Sequence, residues 1–182
     1  MARTRFDDWP CSVARTVDLV GDAWTLLVLR ECFYGVRRFE PFQERLEIGR
    51  NVLAGRLKRL VDGGVLDKVP YQDRPLRHEY LLTEKGRALF AVIVTLMRWG
   101  DDWMSGPEGV PVELRDRDGH PVRPVVVDEA TGRPLDPRRV VAAPGPGFPE
   151  AHRDRAEREG RFGGRRREVV RGATAAGPRG PS

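Results

Sequence analysis

Ten lysine and arginine side chains fall between residues 37 and 77, against six acidic ones, and four of the ten lie between residues 50 and 59. Guanidinium and ammonium groups at this density suit one kind of chemistry above others, the neutralising and hydrogen bonding of phosphate oxygens. Their spacing is not random. In FEPFQERLEIGRNVLAGRLKRLV, residues 39–61, Leu53, Leu57 and Leu60 recur at helical intervals and mark one apolar face. At about 100° per residue, Asn51, Gly55, Lys58 and Asp62 fall on the opposite face, with Arg59 beside them. Asn51 and Lys58 have side chains able to read base edges, and Arg50, Arg56 and Arg59 suit phosphates or neighbouring bases. A short preceding helix, packed through Leu46 and Ile48, would make the pair a helix-turn-helix. The competing reading of the same residues is an ordinary amphipathic surface helix with a solvated basic face.

Other chemistries find little support. His78, His120 and His152 are scattered, and there is no phosphate-binding glycine loop and no nucleophile elbow, so neither an enzyme nor a bound cofactor or metal is expected. Cys11 and Cys32 are too few for a disulfide framework or a four-thiolate zinc site. The formal charge is +5, but nine arginines against four acids follow residue 152, leaving the rest of the chain slightly acidic outside the two basic regions. Such a distribution points to a polyanionic partner. No apolar run reaches membrane-spanning length, and MARTRFDDWPCSV lacks the apolar core of a signal peptide, so a cytoplasmic, nucleoid-associated protein is expected. The preference for arginine over lysine, with much Ala, Gly, Pro and Val, fits a GC-rich bacterial genome.

The elements that must carry the basic stretch are legible on both sides of it. Residues 1–10 are polar and read as a mobile lead-in. Residues 11–20 read as a helix with Val13, Val17 and Val20 on one face, broken by Gly21. Asp22 then caps a helix over residues 23–34 that is apolar around most of its circumference and so belongs in the core. Residues 37–39 read as a short strand, and Pro41 fits the first turn of the next helix. Gly63 and Gly64 end the basic helix. Apolar residues then flank the polar tip 72–75 on both sides, which predicts an antiparallel hairpin, a wing, with Arg74 and Arg77 at or near its end. Arg38, Arg74 and Arg77 would steady a duplex from its flanks. Thr83 caps a single long helix over residues 84–104 with two apolar stripes. One covers the protomer's core and the second asks for a partner, so this helix and residues 11–20 are expected to form a homodimer interface.

In this order the pieces resemble the HxlR family of bacterial winged-helix regulators. The resemblance rests on Cys11, VGDAWTLLVLRE (20–31), RRF (37–39), VLAGRLKRLVDGGVL (52–66) and EYLLTEKG (79–86), and covers residues 11–104. It implies a mainly α protein with a small β component, a dimer bound to operator double-stranded DNA, and a transcription regulator acting as a repressor under a small-molecule or oxidant inducer. It also implies a redox-sensor role for Cys11, whereas Cys32, inside the apolar helix, reads as packing. The chain departs from the family at Gly49-Arg50-Asn51, where a Ser-Pro-Lys-like lead-in is common, and at Gly55, where a larger polar residue is usual. The competing function is a dimeric winged-helix module that binds protein and no specific DNA; salt dependence separates the two.

Residues 108–143 change character. Apolar runs broken at Asp118-Gly119 and Thr131-Gly132 predict a small β appendage. It resembles the zinc-ribbon-like tails of some relatives, with Asp118, Asp128 and Thr131 standing where cysteines would be, so a degenerate, metal-free ribbon is expected. Residues 144–182 are rich in Pro, Gly, Arg and Ala and read as a largely disordered tail, with a short helix at 149–159 and Arg165, Arg166 and Arg167 as further phosphate-binding candidates.

Overall fold

The computed structural model describes residue 6 and residues 8–160. The chain divides into two compact units at Pro134/Leu135, inside the stretch that the sequence treats as one appendage.

The first unit opens with α1 (Ser12–Val20) and α2 (Ala23–Phe33), followed by α3 (Phe39–Leu46) and α4 (Arg50–Asp62). Strands β1 (Leu66–Asp73) and β2 (Leu76–Leu82) form a two-stranded antiparallel hairpin, and α5 (Glu84–Ala88) and α6 (Phe90–Met104) complete the expected α+β architecture. The local reasons are those the side chains suggest. The Asp22 carboxylate accepts from the Thr25 backbone N–H at 3.1 Å and starts α2. Gly35 takes a positive φ of 85° just beyond α2, and Gly64 one of 67° just beyond α4. The Thr83 hydroxyl accepts from the Gly86 N–H at 3.0 Å and donates to the Gly64 carbonyl at 2.8 Å, tying the start of α5 to the end of α4.

The core is one cluster to which every helix of the helix-turn-helix contributes. Val28 and Leu29 of α2, Phe42 of α3, Leu53, Leu57 and Leu60 of α4, and Val65 and Leu66 at the hairpin root are essentially inaccessible. α4 is thus held by its leucine face, and everything it offers to a ligand lies on the other side. Gly86 fits this core only because it lacks a side chain: a Cβ there would lie 2.2 Å from the Val65 carbonyl oxygen, which is backbone and cannot swing away. Gly86→Ala is expected to cost about 1–3 kcal/mol, read as a lower denaturation midpoint with an unchanged slope.

Four expectations need correction. The strand at residues 37–39 is a single bridge between Arg38 and Glu79, because α3 already begins at Phe39. The long helix over 84–104 is interrupted at Leu89, whose N–H bonds to Gly86 three residues back. Helical spacing predicts one stripe through Leu89, Val92, Ile93, Leu96, Gly100 and Trp103 and a second through Phe90, Val94 and Met97, with Trp99 at its margin. The structure instead draws inward from both, Val94 being buried and Ile93 packed on the core, and leaves Val92, Leu96, Trp99 and Trp103 exposed. Finally, the appendage has isolated bridges, Arg115–Pro121 and Val127–Pro134, in place of paired strands. Each bridge closes a turn with glycine at positive φ, Gly119 at 87° and Gly132 at 64°.

The second unit, as described, carries turns and one helix, α7 (Glu150–Arg158), where the sequence suggests a short helix. Arg165, Arg166 and Arg167 lie outside the described residues. Among the described residues, no helix is long and apolar enough to cross a membrane.

Candidate nucleic-acid interface

The structure sorts the basic residues into two groups that their spacing alone does not separate. Arg50, Asn51, Gly55 and Lys58 lie exposed on α4, opposite its leucines. The Arg50 guanidinium stands 5.2 Å from the Phe39 ring centroid, which steadies it at the first turn. Lys58 pairs with Asp62 one turn on, both well exposed. A Cβ at Gly55 would meet nothing within 4 Å, so the middle of this face is bare backbone open to close approach. The first turn of α4 has no acidic residue, and its cap, Gly49, supplies no side-chain hydrogen bond. Its leading N–H groups and the positive end of the helix dipole thus stand beside Arg50, an arrangement suited to an anion.

Arg56, Arg59 and Arg38 are engaged within the protein. The Arg56 Nε lies 2.7 Å from Asp22 Oδ1, an ion pair out of hydrogen-bond alignment. The Arg59 Nε donates to the Leu19 carbonyl at 3.0 Å, and its Nη2 approaches Asp18 Oδ2 at 3.4 Å. Arg38 donates to Glu79 at 2.8 Å while its guanidinium stacks 4.2 Å over the Tyr71 ring. It therefore braces the hairpin partway along its length, where Tyr71 occupies the register shift between Pro70 and Gln72.

At the hairpin end the turn is stiffened from within, the Gln72 side chain donating to the carbonyls of Arg74 (3.1 Å) and Pro75 (3.2 Å). Arg74 and Arg77 are exposed and make no ion pair among the described residues. The partners that sequence reasoning missed are Asp18, Asp22, Tyr71, Glu79 and the buried Glu31. Glu31 joins Arg30 of α2, at 2.7 Å, to Arg45 of α3, at 3.5 Å. A signal existed in the opposite charges of Asp18/Asp22 and Arg56/Arg59, but nothing local says that the two helices meet.

The two cysteines differ sharply. Cys11 is exposed at the N-terminal boundary of α1. Burial pushes the Cys32 thiol up to about 12, and the neighbouring Glu31 charge adds to the shift. Because the thiolate is the nucleophile, iodoacetamide near pH 8 is expected to alkylate Cys11 at least about a hundredfold faster than Cys32. Peptide mass spectrometry of wild type and Cys11→Ser measures this; equal rates would refute it.

In the appendage, Asp116, Asp118 and His120 bring ligand atoms within 4.8 Å of one another, all exposed. One Asp116 oxygen already accepts from the N–H groups of Asp118 and His120, both at 2.9 Å, so turn closure explains the grouping. At the second turn Asp128 accepts from the Thr131 hydroxyl (2.7 Å) and N–H (2.8 Å), and these bonds hold its carboxyl below the ordinary carboxylate range.

A core-held helix-turn-helix followed at once by a hairpin with exposed arginines at its end defines a winged helix-turn-helix protein. The model of HxlR-like helix-turn-helix proteins matches residues 19–108. The chain is 49% identical over 138 residues to the Mycobacterium tuberculosis (strain H37Rv) protein named "Uncharacterized HTH-type transcriptional regulator Rv3095", covering 75% of this chain and 87% of that one. The chain belongs to the HxlR-like helix-turn-helix family of transcriptional regulators. Two solved structures, each described provisionally as a transcription factor, share the fold. PA1607 is 39% identical with a TM-score of 0.71, covering 78% of this chain and all of that one. PA1374 from Pseudomonas aeruginosa is 36% identical with a TM-score of 0.58, covering 80% and 99%.

Proposed function

We propose that the protein is a homodimeric repressor that binds specific double-stranded DNA, with α4 in the major groove and the hairpin against the flanking backbone. The observation that carries this reading is the exposed face of α4: an uncapped, acid-free first turn, Arg50, Asn51 and Lys58, and bare backbone at Gly55. Phosphate recognition falls to Arg50 and the helix N-terminus, and base edges to Asn51 and Lys58. Arg74 and Arg77 contact the backbone beside the groove. Arg38 contributes by holding the hairpin at its angle.

The dimer forms through the apolar residues left exposed on α6 (Val92, Leu96, Trp99, Trp103) together with Val13 and Val17 of α1. Cys11 stands exposed at the N-cap of that same helix, where oxidation would act on the interface. A small-molecule inducer has a place in the groove of about 590 Å³ between α2 and α6, lined by Leu26, Leu27, Arg30, Tyr34, Ile93 and Met97 among others.

Binding of the purified protein to DNA flanking its own gene, followed as salt rises, tests the core of this reading. A regulator of this kind loses affinity linearly on log–log axes, with about 0.9 of slope per phosphate neutralised. Affinity that ignores salt and sequence would favour a protein-binding module instead.

A further inference from the structure

We propose that Asp18 and Asp22 are positioning residues for DNA recognition: they hold Arg56 and Arg59 off the duplex and set the angle at which α4 presents Arg50, Asn51 and Lys58. The inference rests on the reading of α4 as the DNA-reading helix. It assigns the four residues a function that sequence spacing divides differently, since the arginines look like phosphate contacts and Asp22 like a helix cap alone.

The attachment has two points on one edge of α4. Arg56 meets Asp22 at 2.7 Å, and three residues on, Arg59 meets the Leu19 carbonyl at 3.0 Å and Asp18 at 3.4 Å. One point would leave a helix free to roll about the contact; two fix its rotation as well as its position. The leucine face alone allows small rotations, because apolar packing is not directional.

The corner that supplies the aspartates is itself stiff. A Cβ at Gly21, between them, would meet the Val17 carbonyl oxygen at 2.6 Å, and one at Gly63 would meet Leu19 Cδ1 at 2.5 Å, so α1, the corner and the end of α4 are packed too closely to slide. Asp22 also caps α2 through the Thr25 N–H and accepts from the fully buried Thr25 hydroxyl. The Asp18–Arg59 pair is well shielded, its side chains 16% and 25% exposed, so salt screens it less than an open surface pair.

The corner also belongs to the proposed dimer face, because Val13 and Val17 of the same α1 are exposed. The helix that meets the second copy is therefore the helix that grips α4. The aspartates relay the two-fold geometry to the two reading helices, whose separation must match half-sites about 34–36 Å apart.

Removing an acid near a polyanion ordinarily tightens binding, so the expected sign is distinctive. The full chain is used with a short duplex that the wild-type protein selects from a random-sequence pool, and with mixed-sequence DNA as reference. Asp18→Asn and Asp22→Asn are each expected to weaken binding to the selected duplex about three- to tenfold, with mixed-sequence binding unchanged. Arg56→Ala and Arg59→Ala should weaken it similarly while leaving the salt slope unchanged, and Asp22→Asn with Arg56→Ala should cost no more than Arg56→Ala alone.

Asparagine at 22 remains a good helix cap, and Arg56→Lys and Arg59→Lys keep a cation within reach, so folded variants exist for each arm. Selected-duplex binding at or above wild type in both asparagine variants overturns the inference. So does a slope shallower by about 0.9 in either arginine variant, the mark of a lost phosphate contact. A wild-type protein that selects no sequence overturns the reading of α4 and, with it, this inference.

Discussion

Asn51→Ala combined with Lys58→Ala is expected to abolish sequence-selective DNA binding while the protein melts where the wild type does. Both side chains lie on the exposed face of α4, away from its leucines, so their truncation changes stability by no more than about 0.5 kcal/mol. A good base contact is worth about 1–3 kcal/mol of discrimination, so losing two lowers selective affinity by roughly thirtyfold to twenty-thousandfold. Lys58 must first leave Asp62, but that pair is well exposed, and surface pairs contribute only about 0–1 kcal/mol. The base contact therefore wins. Arg50→Ala should behave differently, weakening selected and mixed-sequence DNA alike and shallowing the salt slope by about 0.9. Gel-shift or anisotropy titrations at several salt concentrations separate the outcomes; a double variant that still prefers the selected duplex shows that α4 does not read it.

Trp99→Asp with Trp103→Asp is expected to leave a folded monomer that has lost most of its operator affinity. The two indoles are 58% and 76% exposed, so the isolated protomer has little to lose from their removal. Across a two-fold interface each substitution removes a large aromatic anchor and places a charge against apolar neighbours. Such anchors are worth 2 kcal/mol or more apiece, so four altered positions per dimer weaken association far beyond about a thousandfold. Loss of the dimer removes the advantage of engaging two half-sites at once, about 10²–10⁴ in affinity. Sedimentation equilibrium reads the first effect and DNA titration the second. A wild-type protein that stays monomeric at high micromolar concentration assigns this face to another occupant.

Much of the fold was legible because its determinants are local. Leucine spacing, Asp22 and Thr83 as caps, and Gly35, Gly63 and Gly64 as terminators act within about four residues, and they placed α1 to α4 and the hairpin. Reasoning failed where a short segment had two acceptable states. Residues 108–143 carry strand-like apolar runs, yet with proline at 111, 121, 124 and 134 the stretch lacks the donors of a continuous ladder, and single bridges result. The break at Leu89 lies in a sequence with nothing to forbid a continuous helix.

The chain by itself determined that α4 would be a basic helix with an apolar back, standing between a bracing helix and a wing. Side-chain type and helical period suffice for that. Only the tertiary structure decided which of its cations are available. Arg56 and Arg59 sit on the same helix as Lys58, but they reach aspartates more than thirty residues earlier in the chain. Which stripe of α6 faces inward was decided in the same way, since apolar residues surround that helix and periodicity cannot choose among them. Helix formation is set by neighbours in sequence; the partner of a charge is set by where two helices cross.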